Sequence, residues 1–204
     1  MYARVIPLRF KPDHIDDFLD DFLTVYRKSA VPDLLQRRGF SGGLVLTDAA
    51  SQRGLLVSLW ERRDDLRRSQ PHSQRIVSAM LLPFLDQPPT PDLYEVCVQA
   101  GHALGGRVAR TLSLPVAGDT LDQALEVYTD TLLPELKQQP GFQGVFWFAD
   151  RQAGSGLGLS LWTSAEAMRA ADEPGAFFPR AAQALAAFFQ APPVRGYYTV
   201  SGQL

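Results

Sequence analysis

Residues 39–60 read GFSGGLVLTDAASQRGLLVSLW, and residues 141–162 read GFQGVFWFADRQAGSGLGLSLW. Both stretches open on Gly-Phe, keep a Gly-Leu pair in the middle and close on Ser-Leu-Trp. Extended outward without a gap, the alignment pairs Leu23–Arg68 with Leu125–Ala170, and 16 of the 46 positions are identical. Similarity at a fixed offset indicates that one structural unit occurs twice in the chain.

We divide the chain of 204 residues into a first repeat, residues 1–100, and a second repeat, residues 106–204. A glycine-rich stretch suited to a linker lies between them. Within each repeat, alternating apolar residues predict strands, and apolar residues at helical spacing predict helices. In the first repeat the strands are expected at about 2–10, 40–47, 55–60 and 93–99, with a helix opening at Pro12 and another at about 64–85.

The resulting order, βαββαβ in each repeat, is that of the ferredoxin-like split β-α-β motif. The expected fold class is therefore α+β, with tandem antiparallel sheets that carry helices on one face only. The other face of each sheet is apolar enough to require burial. We expect the two sheets to bury these faces against each other, as an intramolecular pseudo-dimeric α/β barrel.

Composition excludes several classes of protein. The net charge is −2, which gives no electrostatic reason to expect nucleic acid or an anionic membrane as a partner. No apolar run is long enough to span a bilayer, and the N-terminus lacks the pattern of a signal peptide. Cys97 is the single cysteine, so no internal disulfide or multi-cysteine metal site can form. We expect a cytoplasmic protein.

Two short motifs, each present in both repeats, resemble those of a known family. They are Gly39-Phe40-Ser41-Gly42 with Ser58-Leu59-Trp60-Glu61, and in the second repeat Gly141-Phe142-Gln143-Gly144 with Ser160-Leu161-Trp162-Thr163. With the order of elements, they resemble the antibiotic biosynthesis monooxygenase superfamily, the dimeric α/β barrel group. The resemblance implies that fold, and a cofactor-independent monooxygenase acting on a small aromatic or quinol substrate. It implies neither a cofactor nor a metal.

Such chemistry needs a base, a donor for the developing oxyanion and a dry pocket. His72 is the candidate base, because an imidazole titrates near neutral pH. Trp60 could form a pocket wall or donate its indole N–H, and Tyr26 and Arg75 could bind a phenolate. The structural alternatives stay open: Trp60 and Tyr26 could be core residues, and His72 could lie on a surface helix.

The second repeat keeps Trp162 but has no histidine after His102. If His72 is catalytic, only the first repeat can be active. The second repeat would then be structural, or would bind a different ligand through Trp147, Phe146 and the pair Phe177-Phe178. Trp162 is a further candidate for contact with the substrate. Further self-association of the internal pseudo-dimer is possible.

Two other functions are compatible with the resemblance. One is a non-catalytic protein, for binding small apolar ligands or for a stress response, which would use the same pockets. The other is binding or degradation of haem, a branch that uses an Asn, a Trp and an axial His. This chain contains no asparagine.

Overall fold

The computed structural model describes residues 1–12, 14–19, 24, 28, 31–102, 105–116 and 120–204. The chain forms two compact units. Unit one comprises Met1–Tyr94 with Thr199–Leu204, and unit two comprises Glu95–Tyr198. Each unit carries one antiparallel four-stranded sheet with helices, so the α+β class and the ferredoxin-like arrangement are confirmed.

The strand order in unit one is β1-β3-β2-β8. Its strands are β1 Tyr2–Arg9, β2 Phe40–Asp48, β3 Arg53–Trp60 and the end of β8 Val194–Gln203. Its helices are α1 Ile15–Asp17, α2 Val31–Leu35, α3 Arg63–Arg68 and α4 Gln70–Ile76, followed by a π-helical turn Val77–Leu81 and a 3-10 turn Leu82–Phe84.

The strand order in unit two is β5-β7-β6-β4. Its strands are β5 Val108–Pro115, β6 Phe142–Asp150, β7 Ser155–Trp162 and most of β4 Asp92–Gly101. Its helices are α5 Leu121–Val127, α6 Leu133–Leu136, α7 Ala165–Ala170 and α8 Phe177–Leu185, with a π-helical turn Tyr128–Leu132 and a 3-10 turn Ala186–Phe188.

The last strand of each repeat pairs with a strand of the other repeat. In unit one, residues 199–203 of β8 pair with residues 44–47 of β2. In unit two, residues 95–101 of β4 pair with residues 144–149 of β6. The order of elements predicts strands at these positions, but the choice of partner depends on contacts far apart in sequence.

The long second helix expected at about 64–85 in the first repeat is interrupted, and so is the equivalent segment of the second repeat. In the first repeat, helix α3 ends at Arg68 and α4 begins at Gln70. The π-helical turn Val77–Leu81 then replaces regular α-helix. In the second repeat, residues 171–176 separate α7 from α8. The segments on both sides of each break contribute buried apolar residues: Leu66 and Leu81 in the first repeat, and Met168 and Phe177 in the second.

The cores lie between the sheets and these helices. In unit one, Phe18 of the segment after α1 and Leu81 are fully buried beside β1 residues. In unit two, the aromatic side chains of Trp147, Phe177 and Phe178 belong to one large core cluster. The first core packs on the sheet face that carries Trp60, and the second core includes Trp147.

Candidate functional site

A small cavity in the first repeat brings together two of the predicted site residues. Trp60 and His72 both line it, with Arg4, Ser58 and Ser69, and its volume is about 50 Å³. Arg4 on β1 stands opposite Ser58 on β3, and Trp60 follows two residues later on the same face of that strand. His72 comes from the first turn of α4.

The imidazole of His72 lies in a partly buried, charged setting. Its side chain is 14% exposed, and Nε2 lies 2.8 Å from Asp33 Oδ2. The approach is off the N–H direction, so Nε2 has no aligned hydrogen bond within the described chain. Burial lowers the pKa of His72, Arg37 acts in the same direction, and Asp33 opposes both. The balance favours a neutral imidazole, which is the form that accepts a proton.

Asp33 is held in its ionised form by the neighbouring arginine. Arg37 Nη2 donates to Asp33 Oδ2 over 2.8 Å. This hydrogen bond is the main reason that the pKa of Asp33 is lowered. Asp33 therefore carries its negative charge beside His72 across the neutral pH range.

Arg4 is a buried cation that has few interactions to compensate for its loss of water. It is 2% exposed, and its Nη2 donates to the backbone oxygen of Leu66 over 2.7 Å. Its Nε has no hydrogen-bond partner, and no carboxylate of the described residues forms an ion pair with it. Burial lowers its pKa to about 10. At neutral pH the guanidinium is charged and has donor capacity to spare.

Trp60 serves the cavity as a wall. Its side chain is 1% exposed and packs edge-to-face on Phe40, with ring centroids 5.4 Å apart. The indole N–H donates to Ser58 Oγ over 3.0 Å. That bond occupies the donor that we considered for a substrate, so Trp60 contributes shape and apolar surface.

Arg75, the other described candidate of the first repeat, is not among the residues that line this cavity. Arg75 lines a neighbouring open groove with Asp33, Arg37 and His72. Tyr26 lies outside the described residues. A second open cleft, of about 500 Å³, shares Trp60 and Ser69 with the cavity and is lined by Arg37 among other charged side chains. The cavity thus adjoins a wide polar cleft.

The second repeat holds a larger and more apolar cavity, of about 100 Å³. Trp147 lines it, as do the other aromatic residues singled out in this repeat, Phe146, Phe177 and Phe178. Trp162 is fully buried beside it, packs on Phe178 and donates its indole N–H to Ser160 Oγ over 3.0 Å.

The polar end of this second cavity contains an arginine at the position equivalent to Arg4. Arg110 on β5 stands opposite Ser160 on β7, as Arg4 stands opposite Ser58. Arg110 Nε donates to Asp172 Oδ2 over 3.1 Å, and its guanidinium lies 3.6 Å above the centroid of the Phe178 ring. Burial lowers the pKa of Arg110, and Asp172 acts against that shift.

Sequence reasoning missed both strand arginines, although a signal was present. On β1 the apolar face is formed by residues two apart, such as Ile6 and Leu8, and Arg4 interrupts that series. Arg110 interrupts the corresponding series ahead of Leu112 and Leu114. A charged residue on the buried face of a strand indicates a functional or paired group.

Comparison with known proteins supports the fold and leaves the chemistry open. No family model matches the chain. An uncharacterized protein of Mycobacterium tuberculosis is 24% identical over 169 residues, which cover 82% of this chain and 74% of that protein. The similarity extends over most of both chains, but the relative is itself uncharacterized and suggests no function.

Several solved structures share the fold over the whole chain. A candidate monooxygenase from Fusobacterium nucleatum has a TM-score of 0.76 at 10% identity and covers 99% of this chain and 93% of its own. An anthrone oxidase-like protein has a TM-score of 0.70 at 17% identity, with coverages of 100% and 92%. A haem-degrading enzyme from Listeria monocytogenes has a TM-score of 0.56 at 10% identity, with coverages of 98% and 99%. The fold implied by the family resemblance is confirmed.

In the described part of the chain, no helix is long and apolar enough to cross a membrane. The same residues contain no group of three or more His, Cys, Asp or Glu that could hold a metal ion.

Proposed function

We propose that this protein is a cofactor-independent monooxygenase of a small aromatic or quinol-type substrate, with its reaction site in the first repeat. One observation carries the proposal. The imidazole of His72, whose pKa is lowered by burial, and the guanidinium of Arg4, which has no described carboxylate partner, line the same cavity. A base and a fixed cation are what is needed to form and hold a substrate anion.

The proposed reaction oxidises an acidic CH₂ group flanked by aromatic or carbonyl carbon, as in an anthrone. His72 removes one proton, and the resulting anion, with its charge on the substrate oxygen, is held by Arg4. The carbanion carbon adds O₂, and the peroxide takes the proton back from His72. Loss of water, which carries off the second hydrogen of the CH₂ group, leaves a ketone. The substrate gives four electrons, and O₂ ends as one carbonyl oxygen and one water.

The space around these residues restricts how a substrate binds. An apolar cavity of roughly 150 Å³ holds one benzene ring, and the first cavity has only about 50 Å³. The bulk of the substrate therefore occupies the adjoining cleft of about 500 Å³, which shares Trp60 and Ser69 with the cavity. Only the reacting edge of the ring system approaches His72 and Arg4.

Haem does not fit the described site. His72 is the one histidine that lines the cavities described above, and its Nε2 lies 2.8 Å from Asp33. Neither cavity, at about 50 and 100 Å³, approaches the size of a porphyrin, and the adjoining cleft of about 500 Å³ has no histidine in its lining. We therefore derive no reaction through haem.

A second candidate function is binding without reaction. The larger cavity of the second repeat favours it, because its lining is mostly apolar and contains no imidazole. This function predicts saturable binding of a ligand and no consumption of oxygen.

The two functions are distinguished by oxygen consumption. Metal-stripped protein would be tested on a panel of anthrones and hydroquinones, with His72→Ala as the test variant and His102→Ala as its control. His102 is exposed and lies in the stretch between the two repeats. We expect uptake to fall at least about 100-fold in His72→Ala, since a general base contributes about 10²–10⁴, and to persist in His102→Ala. Uptake that survives in His72→Ala contradicts the proposal, and a panel without any uptake favours the binding function.

A further inference from the structure

We propose that the cavity of the second repeat is a binding site for an aromatic carboxylate with a single ring. The inference concerns a different cavity from the proposed reaction site and does not depend on the protein being an oxygenase. It rests on three features of that cavity: its apolar walls, its size, and the arginines at its polar end.

The walls and the volume select a small aromatic body. Phe146, Trp147, Phe177 and Phe178 line the cavity, with leucine side chains such as Leu159. Its volume is about 100 Å³, below the roughly 150 Å³ of an apolar cavity that holds benzene. One six-membered ring fits after a small adjustment of the walls, and a fused ring system does not.

Arg110 supplies a fixed positive charge at one end of this cavity. Its side chain is 4% exposed. The hydrogen bond that it donates to Asp172 uses Nε alone. For the two Nη groups, the described part of the chain provides no acceptor. Two parallel N–H groups of one guanidinium match the two oxygens of a carboxylate. The Nη groups can therefore bind a carboxylate while Nε keeps its hydrogen bond to Asp172.

Arg195 adds a second cation at the same end. It also lines the cavity, is 45% exposed, and its Nη1 lies 4.0 Å from Asp172 Oδ1. Tyr197 donates its hydroxyl to Asp172 Oδ2 over 3.1 Å. Asp172 thus neutralises one of the two guanidinium charges, and one positive charge remains for a ligand. An anionic head group is favoured over a neutral one.

The cavity can bind a ligand but contains no group that could remove a proton from it. Its lining contains no histidine and no carboxylate, and Asp172 is already engaged by Arg110 and Tyr197. Burial raises the pKa of Tyr128, the phenol in the lining, so this group stays protonated. A bound aromatic acid would therefore leave unchanged.

The chain carries its own reporters for a test. It has three tryptophans: Trp60 lines the first cavity, Trp147 lines the second, and Trp162 lies beside the second. We would titrate the full-length, ¹⁵N-labelled protein with 4-fluorobenzoate and follow the three indole N–H signals, assigned by Trp→Phe substitution. We expect saturable movement of the Trp147 signal and a constant Trp60 signal. Movement of the Trp60 signal alone, or of none, would overturn the proposal.

Charge recognition is tested with a neutral ligand of the same shape and a matched pair of variants. We expect 4-fluorobenzoate to bind at least tenfold more tightly than 4-fluorobenzyl alcohol. Arg195→Gln should weaken binding of the acid at least fivefold and leave the alcohol unchanged. Arg169→Gln removes an exposed arginine of the same unit outside the cavity lining and should change neither. Equal affinities for acid and alcohol, or equal effects of the two variants, would refute a carboxylate site.

Discussion

At the scale of single residues, the most informative feature is a charged side chain on an apolar strand face. Arg4 and Arg110 occupy equivalent places, each opposite a serine that accepts a hydrogen bond from a tryptophan indole. A buried guanidinium is tolerated only where it gains interactions that water would otherwise provide. Within the described residues, Arg110 has Asp172 for this purpose, whereas Arg4 has one backbone oxygen. We infer that the substrate anion completes the environment of Arg4.

Replacing this cation should affect turnover more than substrate binding. Arg4→Met keeps a long apolar stem but removes the charge, so the substrate anion loses its main stabilising partner. We expect kcat to fall by about 10²–10³, the usual cost of losing one donor that stabilises an oxyanion. KM should change much less, because the substrate binds in its neutral form and gains little from the charge of Arg4. Steady-state oxygen consumption measures both constants.

The control for this variant lies on the same strand. Arg9→Met makes the same chemical change at an exposed position of β1 and should leave kcat near the wild-type value. Urea unfolding of both variants separates a loss of chemistry from a loss of fold. A kcat for Arg4→Met within threefold of wild type would show that Arg4 does not stabilise the substrate anion.

At the scale of secondary-structure elements, two glycines close the turns that lead into the second strand of each repeat. Gly39 and Gly141 have φ of 73° and 78°, a region that other residues enter at a cost. A Cβ on Gly141 would lie 2.5 Å from Ala167 Cβ and 2.7 Å from Thr163 Oγ1. The turn therefore fixes how closely α7 and β7 approach the start of β6.

This tight packing can be measured against a glycine with the same backbone conformation and free space. Gly175 has φ of 81°, and a Cβ there would meet nothing within 4 Å. Gly175→Ala should lower the free energy of unfolding by about 1 kcal/mol, through backbone strain alone. Gly141→Ala should lower it by about 1–3 kcal/mol more, because the added methyl overpacks its surroundings. Urea denaturation gives both values. Equal losses of unfolding free energy in the two variants would show that the neighbours of Gly141 move aside at little cost.

The strands were predictable from the sequence because their signal is local. Alternating apolar residues predicted a strand at 55–60, within two residues of the observed bounds of β3. The helices were less predictable, since the break at Ser69 and the turn Val77–Leu81 depend on packing against the sheet. His72 and Trp60 were expected to contribute to one site, and both line the same cavity. Arg75, three residues further along α4, lines an adjoining groove.

At the scale of the whole molecule, the two repeats have similar folds but differ in their polar side chains and in the size of their cavities. Both keep the arginine, serine and tryptophan in the same register. The first repeat adds His72, and the second has no histidine after His102 but adds Asp172, Arg195 and a larger apolar cavity. We infer that the first repeat carries the reaction and the second holds a ligand. One chain should then show one titrating base, although it has two cavities.

The pH dependence of kcat/KM for oxygen consumption tests this most directly, because it reports the ionisations of the free enzyme. Only neutral imidazole accepts the proton, and burial holds the pKa of His72 below its usual value of 6.5 despite the charge of Asp33, with Arg37, Arg75 and Arg4 nearby. Between about pH 4 and 8, we predict one acidic limb with its midpoint below 6.5, absent from the residual rate of His72→Ala. A flat profile, a midpoint above 6.5, or the same limb in His72→Ala would contradict a single catalytic base in the first repeat.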